Sequence, residues 1–288
     1  MSDESPVALT PSSALVDALP PPSQPVSKIR WGIHLAIMAA LPLVAGLGGV
    51  SNRGGEPALG HNVRGLLIVS AFEVLFFAVF FVPAWLASRA NRDDLLLRWR
   101  PGYWVVPLGV AYSVAIRLAV GVLALCAMAI VMVTTKTSLA GIQKFTEENR
   151  PKVETLLDMQ ALTHDPAYFW LAVVLVSFVV GGLREELWRS SFLAGLRSVW
   201  PRAFASNRGG IAGAGVAALF FGAAHIPQGM LAAGMITIVG FLLGVMMSLH
   251  RSVWPSAIAH GLFDATSMVQ LVWLTRHLPE WQKMSGGH

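Results

Sequence analysis

Seven apolar runs, each long enough to cross a bilayer, dominate this 288-residue chain. A spanning helix needs about 20 residues at ~1.5 Å of rise each. The runs fall at 31–50, 65–88, 103–133, 168–198, 209–226, 231–249 and 253–275. They stop where the chain turns polar or rich in Gly and Pro, as at Ser51-Asn52-Arg53-Gly54, Pro101-Gly102 and Ser206-Asn207-Arg208-Gly209. Composition agrees. Only 13% of residues are charged and the mean hydropathy is +0.60, so there is too little polar surface to cover a soluble globule. The same balance excludes a disordered chain. Lipid offers no partner to backbone N–H and C=O groups, so such runs form helices. The expected fold is all-α, a polytopic transmembrane helical bundle of about seven spans. One cysteine, Cys126, excludes an intrachain disulfide and a Cys-based zinc site.

Residues 1–30 read as a disordered, Pro/Ser-rich cytosolic tail. It opens on Asp3 and Glu4, unlike a signal peptide. Residues 31–133 form the N-terminal spans, 134–167 an extramembrane segment of mixed charge, 168–275 the helices that carry the polar motifs, and 276–288 a C-terminal tail. The net charge of +5 is scattered, which argues for orientation and anionic lipid and against nucleic acid. With the N-terminus in the cytosol, ten Lys and Arg fall on the cytosolic side: Lys28, Arg30, Arg89, Arg92, Arg98, Arg100, Arg197, Arg202, Arg208 and Arg251. Eight fall on the other side, four of them in 134–167, so N-terminus-in is favoured. Most of the ten tryptophans sit near span ends as interface anchors.

A charge at mid-bilayer costs roughly 2.5–3.5 kcal/mol on insertion scales, so ionisable groups inside the spans are informative. The fourth run carries Glu185, Glu186 and Arg189, the fifth ends Phe221-x-x-x-His225, and the seventh carries Ser256, His260 and Asp264. Arg189 stands three and four residues after the two glutamates and reaches either. Ser256, His260 and Asp264 repeat every four residues and form one polar stripe. Glu185 lies about 20 Å from its helix end and His225 about 24 Å from its own, at matching depth. Glu73 and Arg117, in the second and third runs, are expected to pair with each other. Gly240-x-x-x-Gly244 reads as a helix-packing notch.

At these residues the chain resembles the CPBP intramembrane proteases, also called the Abi or type II CAAX endoprotease family. That family's motifs are a Glu-Glu pair with an Arg four residues beyond it, Phe-x-x-x-His, and His-x-x-x-Asn. Here they read Glu185-Glu186, Phe221-x-x-x-His225 and His260-x-x-x-Asp264, in the same order and spacing. The usual Arg position is Ser190, with Arg189 one residue earlier, and Asp264 replaces Asn. The resemblance covers about 168–275. It implies a four-helix CPBP/Abi-like core in a bacterial inner membrane, acting on a protein or peptide substrate.

The chemistry implied is hydrolysis of a peptide bond. Glu185 suits the general base, with His225 sharing the water. By resemblance, His260 and Asp264 hold the oxyanion, and Glu186 is a second carboxylate oriented by Arg189. Glu185, His225 and His260 are also the candidates for a divalent metal such as Zn²⁺, although no His-Glu-x-x-His is present. Blander readings stay open. The glutamates face loop water, His225 bonds a carbonyl near Pro227, and His260–Asp264 packs two helices. A non-catalytic immunity or scaffold protein and a proton-coupled transporter are the alternatives. The lack of internal repeats counts against the transporter.

Overall fold

The computed structural model describes residues 27–51, 57–138, 140–142, 144–145 and 153–284. The expected tail lies outside them up to residue 26. Each of the seven apolar runs becomes one long helix: α1 (Lys28–Ser51), α2 (Val63–Ser88), α3 (Val105–Thr135), α4 (Pro166–Val199), α5 (Asn207–Ala224), α6 (Met230–His250) and α7 (Val253–Met284). Among the described residues every regular element is helical, as the apolar runs require.

Five of the seven, α1 to α4 and α6, are by length and composition apolar enough to cross a membrane. The other two are helices of the bundle but do not reach that level of apolarity. α5 opens on Asn207-Arg208 and is rich in Gly and Ala, and α7 carries the polar stripe.

The ends follow from local chemistry. The Asn62 side chain accepts the Gly65 N–H at 2.9 Å to start α2, and Ser206 accepts the Gly209 N–H at 3.0 Å to start α5. Asp165 does the same for Ala167 at 2.9 Å, with Pro166 at the first position of α4. Arg89 and Arg251 close α2 and α6 in the left-handed conformation.

Helix α4 is the spine of the molecule. It begins as α-helix, runs as π-helix over Ala172–Glu185 and returns to α-helix at Glu186–Val199. Gly181 and Gly182 lie near the end of the π segment, and α7 crosses there. A Cβ on Gly182 would stand 2.7 Å from the Ala257 carbonyl oxygen, so the crossing depends on glycine. The C-terminal half of α4 packs into a core of Leu35, Met38, Phe77, Trp188, Phe192 and Phe221, from α1, α2, α4 and α5. The Trp188 indole donates to the Met38 carbonyl at 2.8 Å, which satisfies its one polar atom. A second core of Ile116, Leu243, Met246 and Ala259 joins α3, α6 and α7.

Candidate functional site

The change of winding in α4 falls between the two glutamates, and their surroundings differ. Glu186 is fully buried. Its Oε1 accepts from Arg189 and from His260 Nδ1 at 2.9 Å, and its Oε2 accepts the Ser256 hydroxyl at 2.6 Å. Such a carboxylate is compensated by a guanidinium and two hydrogen bonds, as burial of a charge demands. The Glu185 side chain keeps 16% exposure and pairs with Arg184 at 3.1 Å.

His260 joins the two. Its Nδ1 faces Glu186, while Nε2 lies 3.6 Å from Glu185 Oε2 and 3.5 Å from Asp264 Oδ2. All three members of the α7 stripe therefore turn toward α4. Asp264 fits because Gly181 has no side chain. A Cβ there would stand 2.5 Å from Asp264 Oδ2.

Arg189, fully buried, lies against α6 at the glycine notch. Cβ atoms on Gly240 and Gly244 would come within 3.2 and 3.3 Å of its side chain. The notch thus houses the arginine as well as bringing α5 and α6 together. Two of its nitrogens, Nε and Nη2, have no hydrogen-bond partner among the described residues, and the guanidinium carbon sits 5.1 Å over the Phe221 ring.

His225 terminates α5. Its Nδ1 donates to the Phe221 carbonyl at 2.8 Å and its ring lies 4.6 Å from the Phe221 ring. The carbonyl it bonds belongs to the preceding helical turn and not to the neighbourhood of Pro227. Among the described residues no hydrogen bond or ion pair joins His225 to the carboxylates. Phe221, between His225 and Arg189, is the link.

The expected Glu73–Arg117 pair does not form. Glu73 binds Arg184, which extends the network as Glu73–Arg184–Glu185–His260 across α2, α4 and α7. Arg117 instead reaches α7, donating to the Phe263 carbonyl at 2.7 Å and to Gln270 at 2.9 Å. A charge in a span needs some partner, but hydropathy does not say which. The sequence reading did not single out Arg184, although a cation beside the leading glutamate was a visible signal. Ser190, at the family's Arg position, donates to the Leu95 carbonyl and anchors the α2–α3 loop.

The metal expectation meets a poor donor set. Among the described residues no three His, Cys, Asp or Glu side chains are grouped to hold an ion. Glu186 is committed to three donors, and His225 is turned to Phe221. Of the three candidates, His225 is turned away, which leaves Glu185 and His260 facing each other.

Compared with known families, residues 166–266 match the family described as Type II CAAX prenyl endopeptidase Rce1-like, the CPBP/Abi family read from the motifs. The match takes in α4, α5, α6 and the first part of α7. Neither the curated proteins nor the solved structures contain a match to the chain.

Proposed function

We propose that this protein is an intramembrane endopeptidase that hydrolyses a peptide bond with a water activated by Glu185. The observation that carries this reading is His260, held at Nδ1 by Glu186 with Nε2 facing Glu185 and Asp264. Glu186 has its oxygens engaged and acts as the orienting carboxylate. Glu185 is the one that water reaches.

In this scheme a water on Glu185 loses a proton to it as its oxygen attacks the scissile carbonyl carbon. The doubly protonated His260 points Nε2–H at the developing oxyanion, a fixed donor in a dry site. Asp264, on the same Nε2 side as Glu185, offsets the charge of the imidazolium. As the tetrahedral species collapses, the C–N bond breaks and Glu185 passes its proton to the leaving amine. His225, fixed through Phe221, borders the water.

The N-terminus is read as cytosolic, supported by the cationic end formed by the α1 start and the α2–α3 loop, and a bacterial inner membrane is read from the family resemblance alone. The Rce1-like match supports a peptide substrate cut near a membrane-anchored end.

The test is the full chain in proteoliposomes with internally quenched peptides, each with and without an S-prenyl group. Wild type is compared with Glu185→Gln, His260→Ala and His225→Ala. Cleavage by wild type and a fall of about 10²–10⁴ in kcat for Glu185→Gln are expected. Equal cleavage by both would overturn Glu185 as the base, and no cleavage by wild type would leave the scaffold alternative. A chelator arm accompanies it. Unchanged cleavage is expected, whereas loss restored by Zn²⁺ would overturn the metal-free scheme.

A further inference from the structure

The loop between α2 and α3 folds back on the start of α7 and borders an open surface cavity of about 540 Å³. Its lining is Arg92, Leu97, Arg98, Trp99, Arg100 and Trp254. The loop is rigidly built. The Trp254 indole donates to the Leu97 carbonyl at 2.9 Å, Ser252 donates to the Arg98 carbonyl at 2.9 Å, and the Val253 N–H donates to the Leu96 carbonyl at 2.9 Å. Asn91 accepts the Asp93 and Asp94 N–H groups at 2.7 and 2.9 Å, and Arg197 donates to the Asp94 carbonyl at 2.6 Å. Trp99 and Trp254 pack against each other with ring centroids 5.6 Å apart and planes tilted by 46°.

Charge in the cavity is unbalanced. Asp93 takes Arg98 through two hydrogen bonds, at 2.5 and 2.6 Å, and stands 3.7 Å from Arg100. Its carboxyl is held below the usual aspartate range by Arg98, so it stays ionised and neutralises one cation. Arg92 is exposed and has no ion pair among the described residues. The wider surface adds to the excess. Ten Lys and Arg stand at this end of the bundle among the described residues, against Asp93 and Asp94.

Guanidinium forks match phosphate oxygens, while Trp and Leu match the glycerol and upper acyl region next to them. The cavity lies where α2 leaves and α3 and α7 enter the apolar layer, at headgroup level. A volume of this size is in the range of about 300–1,000 Å³ that takes a small ligand. We infer that this cavity is a binding site for the phosphate headgroup of an anionic phospholipid, outside the motif-bearing site.

The experiment is native mass spectrometry of the purified full chain in a neutral detergent, titrated separately with phosphatidylglycerol and phosphatidylcholine. One phosphatidylglycerol retained per chain, with a preference of about tenfold over phosphatidylcholine, is expected. The Arg92→Gln/Arg100→Gln variant should abolish the preference. Arg202→Gln/Arg208→Gln, with the same charge change at the same end but away from the cavity, should keep it. Equal loss in both variants would overturn the site in favour of diffuse attraction, and equal retention in both would overturn it outright. Millimolar inorganic phosphate should leave the lipid bound, and displacement would overturn the lipid assignment. Unchanged melting temperatures show that the variants fold.

Discussion

Glu186 and Glu185 are adjacent in sequence, yet burial gives them opposite tasks. Glu186 is enclosed by Arg189, Ser256 and His260, and its charge is tolerable only because all three are present. Arg189→Ala leaves a buried carboxylate short of its main partner and should cost about 3–5 kcal/mol, read as a large drop in melting temperature. Glu185→Gln, at a partly exposed site, should leave the melting temperature within a few degrees while removing activity. Similar melting curves for the two variants would contradict this division of roles. Much of the residue-level site was legible in the sequence. The spacing of Ser256, His260 and Asp264 puts them on one face, and Arg189 follows Glu186 by three positions. The pairing of Arg184 with Glu73 was not, because Glu73 is distant in sequence and comes near only when α2 packs on α4.

Helices meet at the site because particular glycines let them. Gly182 touches the Ala257 carbonyl side of α7, and backbone cannot rotate away as a side chain can. Gly182→Ala should therefore destabilise the bundle by about 1–3 kcal/mol and lower activity by separating Glu185 from His260. Gly234→Ala in α6 is the control. A Cβ there meets nothing within 4 Å, so the change should be neutral or stabilise by up to ~1 kcal/mol. Thermal unfolding of the two variants side by side checks both. The sequence shows Gly181-Gly182 plainly, but not the π winding of Ala172–Glu185. That winding arises from tertiary contact, since a run of Val, Leu and Phe suits an α-helix as well.

The short helix Met159–His164 makes a separate, pH-dependent case. Asp158 accepts the Ala161 N–H at 2.8 Å and contacts His61 at 2.8 Å. First the Ala161 bond and then His61 lower its carboxyl from the ordinary value of 3.8. A depressed carboxylate contributes stability above its unfolded value and loses it as pH falls through the folded value. Hydrogen exchange at 159–164 should hence stay slow from neutrality down to about pH 4 and quicken only below it. In Asp158→Ala it should be fast throughout. A wild-type segment already fast at pH 6 would refute the argument.

At the scale of the whole molecule, the family-like region and the N-terminal helices do not act separately. The match begins at residue 166, yet the ion network that reaches Glu185 begins at Glu73 in α2. Apolar runs foretold the seven helices because lipid allows few alternatives. They could not foretell which helix would supply the counter-charge, because many packings satisfy the same hydropathy. The network makes Glu73 a positioning residue for the proposed base. Arg184 is now shared between Glu73 and Glu185. Glu73→Gln returns it to Glu185 alone, and a carboxylate held more tightly gives up less to its water. The effect should be a loss of about 1 kcal/mol in transition-state stabilisation, roughly fivefold in kcat, with KM unchanged. Glu73→Asp, which keeps the charge, should recover part of it. Arg184→Gln in the Glu73→Gln background should relieve the loss, because the tightened contact on Glu185 is then gone. Steady-state kinetics of the three variants decide the matter. A Glu73→Gln variant with wild-type kcat would confine Glu73 to structure, and additive losses in the double variant would break the proposed chain at Arg184.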